Sequence, residues 1–366
     1  MHRHFSRRVF LQRALSGSVT LSASAGLGRS LWGAAAPTTK SRPDVIVYEG
    51  TYPGWPWITA GADGTLYCAF REGTEHGYSS VGKALFCQST DRGRTWSAAQ
   101  VVVDAADVDD RNVALVELPN RELLVTYNTY DRALQSVAMT VRSADGGRTW
   151  SAPRPIGEPN TRTKSAALPL TDGSLLLPFY VAPGSGALAG LSPDQGLTWK
   201  VVRVPDMAGF IGDEWDVLEV EPGRIVGILR NSHPQTDGTF WKTESRDSGK
   251  TWSVPRPTNV RSQRHPSPAQ ITRHGRTPIL VYADRRMVSV SLVRTSDPEF
   301  LRWDVEQRLP CWVYNADESP IPDGSYPVSV QTGPRERLIV DYEIRTNSQR
   351  IAGYFVTLPE DWAPQI

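Results

Sequence analysis

Apolar residues in this chain come in short runs, and the runs come in pairs around tight turns. The copies read ITAGADGTLYCAF from Ile58, VALVELPNRELLVTY from Val113 and SAALPLTDGSLLLPF from Ser165. Three more read VLEVEPGRIVGIL from Val217, QITRHGRTPILVY from Gln270 and VSVQTGPRERLIVDY from Val328. Each centre carries Gly, Asn, Asp or Pro, the residues a hairpin turn demands. A third apolar run follows most pairs (ALFCQS, VAMTVRS, ALAGLS, FWKTES, VSVSLVRT), and a fourth follows some, as in AQVVV and WKVVRV. No helical period extends beyond about two turns.

Between the third and fourth runs stands a repeated eight-residue box: STDRGRTW, SADGGRTW, SPDQGLTW and SRDSGKTW, with a decayed copy in TSDPEFLRW. The aspartates fall at Asp91, Asp145, Asp194, Asp247 and Asp297, spaced by 54, 49, 53 and 50 residues. A period near fifty suits one four-stranded propeller blade. The last hairpin is followed by IAGYFVTLP, and the early run DVIVYEG from Asp44 can supply that blade's missing outer strand, which removes the open edge. The pattern predicts an all-β, six-bladed β-propeller of four-stranded antiparallel blades over residues 44–359, closed by an N-terminal strand. Within the box, Asp can bond amides of its own turn, Gly supplies a positive φ, and Trp can cover the gap between blades. These are local structural duties, so the chemistry is expected in what does not repeat.

Composition narrows the partners. The 366 residues carry a formal net charge of +1, leaving no basic field for nucleic acid. Charged residues make up 22% and apolar residues 39%, a globular balance. Cys68, Cys87 and Cys311 fit no metal spacing and read as buried thiols, a disulfide being the other option. No metal or other cofactor is expected. Residues 1–36 read differently: Ser6-Arg7-Arg8-x-Phe10-Leu11, a weakly apolar run, then Ala34, Ala35 and Ala36 before Pro37. This resembles a bacterial twin-arginine signal and implies export of the folded chain to the periplasm or beyond. The run is too short and too rich in Ser and Gly for a membrane span, and a monomer is expected.

Repeated S-x-D-x-G-x-T-W boxes on such a propeller resemble the sialidase (neuraminidase) superfamily. The resemblance implies an exo-glycoside hydrolase that holds a sugar carboxylate with arginines, uses a Tyr nucleophile deprotonated by Glu, and has an acid Asp on a loop of the first blade. Gly-Ser-Tyr-Pro at 324–327 and Asp-Tyr-Glu at 341–343 then imply Tyr326 as nucleophile and Glu343 as the residue orienting an arginine. Gly-Asp-Glu at 212–214 and Leu-Arg-Asn at 229–231 imply Glu214 as base and Arg230 as a carboxylate ligand, with Arg285 or Arg286 as the second. Two departures stand out. Gly54, in YPGWPWI, falls where the family places its first arginine, and Arg71 is the nearest replacement. FREGTEHG has His76 but no Asp where the acid is expected.

The loops that open onto the same end add Asp110, Arg111 and His265 to the candidates. Three functions follow. The first is an exported exo-hydrolase releasing terminal sialic acid or a related acidic sugar, with Tyr326, Glu214, His76 and Asp110 catalytic and Arg71, Arg111, Arg230, His265, Arg285 and Glu343 binding substrate. The second is a hydrolase or lyase on a uronic or neutral sugar, served by His76, Asp110 and His265. The third is a glycan-binding propeller without catalysis. Fold alone does not choose among them.

Overall fold

Six antiparallel sheets follow one another along the chain, five built from consecutive strands and the sixth from the last strands and the first. The computed structural model describes residues 40, 42–182, 184, 186–262, 267–284, 289–313 and 323–362. Blade 1 runs Gly54–Ala60, Leu66–Glu72, Lys83–Ser89 and Gln100–Val103 from the axis outward. Blade 2 begins at Arg111–Glu117, blade 4 at Gly212–Glu221 and blade 5 at Gln270–His274. In blades 3 and 6 the innermost strand is broken in two, Thr161–Thr163 with Leu168–Pro169 and Asp323–Gly324 with Val328–Gln331. Blade 3 therefore starts four residues before the apolar run at Ser165, a difference that matters at the site. Val45–Glu49 pairs with Gln349–Thr357 and completes blade 6, as the early run predicts. Two short 3-10 turns, Val305–Gln307 and Glu360–Trp362, are the helical elements among the described residues. No helix there is long and apolar enough to cross a membrane.

The blades are buried on both faces, so their strands read as nearly continuous apolar runs. One apolar cluster fills each gap between neighbours. Phe86 and Tyr67 of blade 1 pack with Val113 and Tyr127 of blade 2; Trp57 and Phe70 of blade 1 pack with Leu338 and Tyr342 of blade 6. Cys68 and Cys87 face each other across neighbouring strands as free, buried thiols, and Cys311 is likewise free and buried.

The box does what its composition implies. Ser143 Oγ donates to Asp145 Oδ1 at 2.8 Å, and Thr149 donates to Asp145 through its amide (2.9 Å) and its hydroxyl (2.6 Å). Asp91, Asp194 and Asp247 make the same bonds with their own Ser and Thr. Gly147 has φ +90°, and a Cβ on it would strike Phe86 of the preceding blade. The glycine thus serves the turn and lets one blade approach the next. Trp150 covers the same Phe86 edge-on, with ring centres 5.8 Å apart.

The other end of the propeller carries a second, quieter repeat. In blades 1, 2 and 4 the pairing of the innermost strand slips by one residue near its start: Gly54↔Arg71 becomes Trp57↔Ala69, Arg111↔Asn128 becomes Ala114↔Thr126, and Gly212↔Asn231 becomes Trp215↔Leu229. Blade 6 makes the same slip between Gly324↔Glu343 and Val328↔Val340. The backbone is left-handed at Trp55, Asn112 and Ser325, one residue into the bulge. Such bulges re-aim side chains. They place Glu214 of blade 4 and Tyr326 of blade 6 at matching positions.

Candidate active site

A cavity of about 540 Å3 opens at the bulged end, lined by residues of blades 1, 2, 3, 4 and 6. On its floor Tyr326 and Glu214 meet across the axis: the phenol donates to Glu214 Oε2 at 3.0 Å. Arg230 donates to the same carboxylate oxygen and lies 3.3 Å from the phenol oxygen. Glu214 and Tyr326 are only 5% and 7% exposed. Burial holds the Glu214 carboxyl above its ordinary value, with the Arg230 charge working against that rise. Asp213 adds to the rise and accepts from the Ser232 hydroxyl.

Tyr326 is held from behind. Asp341 accepts its amide at 2.6 Å, the amide of Tyr342 at 2.8 Å and the Ser325 hydroxyl at 3.0 Å. Burial pushes the Asp341 carboxyl up to about 7 against those bonds. Ser325, at φ +73°, occupies a strained conformation that this cluster of bonds fixes.

His76 stands at the rim. Its Nδ1 is 2.6 Å from Asp323 Oδ2, and its ring packs edge-on against Trp55 at 5.3 Å. The imidazole side chain is 59% exposed. Asp323 is held in turn by the Tyr52 and Tyr342 hydroxyls. A carboxylate on Nδ1 fixes the tautomer and leaves the Nε2 edge for proton exchange.

The arginines sort differently from the sequence expectation. Arg71 is fully buried and grips Asp109 with Nε at 2.9 Å and Nη2 at 2.7 Å, while its Nη1 donates to the Glu75 carbonyl at 2.8 Å. It is not among the cavity-lining residues. Arg111 lines the cavity, stacked over Trp55 at 4.2 Å and donating to the carbonyls of His76 (3.0 Å) and Gly77 (3.3 Å). Arg111 occupies in blade 2 the register position that Gly54 occupies in blade 1. Arg162 lines the cavity too. The sequence reading missed it because that reading opened blade 3 at Ser165; the rule applied elsewhere, charge just before the first strand, finds it in Thr161–Thr163.

Asp110 and Glu343 lie off the cavity. Asp110 is buried, accepts the Ala105 amide at 2.9 Å, and is pushed up to about 7, chiefly by burial. Glu343 accepts from Arg345 at 2.8 Å and Arg350 at 2.9 Å and from the Tyr354 hydroxyl. His265, Arg285 and Arg286 lie outside the described residues. Among those that are described, no cluster of three His, Cys, Asp or Glu side chains is placed to hold a metal ion.

The BNR repeat-like domain model matches residues 58–334. No curated protein matches the sequence. A protein of unknown function from Dyadobacter fermentans superposes with TM-score 0.73 at 18% identity, covering 87% of this chain and 99% of that one. The NanB sialidase from Streptococcus pneumoniae gives 0.70 at 11%, covering 89% and 71%. The intramolecular trans-sialidase from Ruminococcus gnavus gives 0.65 at 13%, covering 91% and 100%. At these identities the likeness is one of fold. With repeat, register and fold agreeing, the chain belongs to the BNR repeat-like family and carries a sialidase-like six-bladed propeller.

Proposed function

We propose that this protein is a glycoside hydrolase that releases a terminal acidic sugar with retention, using Tyr326 as nucleophile. The observation that carries the reading is the 3.0 Å hydrogen bond from the buried phenol to Glu214 inside a sugar-sized cavity. Glu214 takes the phenol proton as the phenol oxygen bonds to the anomeric carbon. The glycosidic C–O bond breaks, and the departing oxygen takes a proton from Nε2 of His76, whose ring Asp323 orients through Nδ1. A water then gives its proton to His76 and attacks the anomeric carbon. The bond to Tyr326 breaks, and Glu214 returns the proton to the phenol. A neutral phenol suits a substrate that carries its own negative charge, because a carboxylate nucleophile would be repelled by it.

Gly54 and Trp55 at the head of blade 1 favour a sugar other than sialic acid itself, since Gly54 offers no side chain to a carboxylate there. Fluorogenic sialosides, glucuronides, galacturonides and neutral glycosides, assayed against the wild type and Tyr326→Phe, test the reading. One acidic glycoside is expected to turn over, and Tyr326→Phe to lose about 10⁴-fold or more in kcat while still binding it. Wild-type kcat in Tyr326→Phe would end the nucleophile assignment. We also propose export through the twin-arginine route, on the Ser6–Leu11 motif; cell fractionation of an Arg7→Lys, Arg8→Lys variant that remained exported would refute it.

A further inference from the structure

The cavity is electrically lopsided. At the end formed by blades 4 and 6, Asp213 and Glu214 flank Arg230, so the guanidinium is matched by carboxylates 3.7 Å or less away. At the end formed by blades 2 and 3, Arg111 and Arg162 bring their guanidinium carbons to 5.0 and 4.9 Å from the same ring, that of Tyr130. Among the described residues the carboxylate paired with Arg111 is Asp109, 3.7 Å away, and the two-pronged grip of Arg71 already spans it. Arg162 donates to Ser136 Oγ at 3.3 Å, and no carboxylate among the described residues pairs with it. Among the described residues, two cations therefore share one end of the cavity with less than one carboxylate between them. Burial holds the Arg111 guanidinium below its ordinary value; Asp109 opposes that fall, and the charges of Arg71 and Arg162 add to it.

Arg111 is also tightly held. Arg111 is fixed by two carbonyls and stacked on Trp55, and its side chain is only 12% exposed. A guanidinium held in this way loses little freedom when it meets an oxyanion, and its planar fork matches one. We infer that Arg111 and Arg162 form an anion subsite that holds an oxyanion substituent of the sugar, carboxylate or sulfate ester, on the wall of the cavity built by blades 2 and 3. The inference deepens the glycosidase reading and rests on its placing the sugar in this cavity. It puts the substrate's charge on blades 2 and 3.

Titration calorimetry of the full chain with glucuronate, N-acetylneuraminate, glucose 6-sulfate and glucose tests it. At least one acidic sugar is expected to bind about tenfold or more tightly than glucose, and to weaken as salt is raised while glucose does not. Arg162→Ala should erase that preference; Arg162→Gln serves the same purpose if the alanine variant melts early. A tighter glucose 6-sulfate or a tighter carboxylate sugar each supports the subsite and names its anion. Equal binding of acidic and neutral sugars, no binding of any acidic probe, or a preference that survives in a folded Arg162 variant overturns it. The two proposals fail separately. Full turnover by Tyr326→Phe with the acidic preference intact removes the mechanism and leaves the subsite; a dead Tyr326→Phe without that preference does the reverse.

Discussion

The two ends of this propeller use the same side chain in opposite ways. At the box end Asp91, Asp145 and Asp194 sit in exposed turns, and their own Thr and Ser donors draw each carboxyl down to about 2. At the pocket end, and along the axis beneath it, Asp341 and Asp216 are buried and rise to about 7 and about 6 despite accepting hydrogen bonds. Hydrogen bonding wins where water still reaches the group, and desolvation wins where it does not. The first arrangement fixes a turn that can be copied from blade to blade. The second stores proton affinity, which is useful once, at one place.

The sharpest way to break the comparison is to neutralise a pocket carboxylate. Glu214→Gln is expected to lower kcat by about 10²- to 10⁴-fold with little loss of melting temperature, because it removes a buried charge rather than a turn. In the wild type the acid limb of kcat/KM should lie above 4.5, the ordinary value for Glu, because Glu214 must be ionised to take the phenol proton and burial raises it. An acid limb below that value, or a Gln variant of full activity, removes Glu214 from the base role.

Next in size, Gly147→Ala should cost about 1–3 kcal/mol of stability, through a Cβ forced against Phe86 at a φ that resists it, with kcat/KM retained. Thermal and urea melts beside an activity assay check this, and a folded variant of unchanged stability would contradict the tight blade contact.

The smallest effect is a matter of slope. Box aspartates are lowered, so their stabilisation is fully present above 3.8 and is lost as pH falls toward about 2. The raised Asp341 and Asp216 act the other way: their contribution is full below 3.8 and is lost as pH rises through about 6 to 7. Urea melts across pH should rise and then decline, and Asp145→Ala should flatten the acid side alone. If that variant flattened the upper side instead, the division between the two ends would be wrong.

The fold was legible because the box is redundant: several copies of a turn, at a steady spacing, outvote any local ambiguity. Tyr326, Glu214, Arg230, Arg111 and His76 were legible at the ends of inner strands and in the loops beside them, and the fold brings them to one cavity. Arg71 could not be sorted from Arg111 by sequence. Both flank inner strands, and only the third dimension shows that Asp109 takes both prongs of Arg71 while Arg111 stays at the cavity wall. The pairing of His76 with Asp323 spans 247 residues, and no spacing rule reaches that far. Arg162 hid because the apolar pattern of blade 3 begins after its first strand segment.

The pairing of Val45–Glu49 with Gln349–Thr357 bears on how the molecule comes into being. Asp44 accepts the amide of Phe355 across 311 residues of chain. During synthesis the first strand must wait, unpaired and partly apolar, until Gln349–Thr357 has emerged. Blade-by-blade assembly can proceed through local hairpins, but closing the ring is a late, long-range event. The cavity draws on blades 1, 2, 3, 4 and 6, so sugar binding should appear in refolding only after that closure, lagging behind the first gain of β-structure.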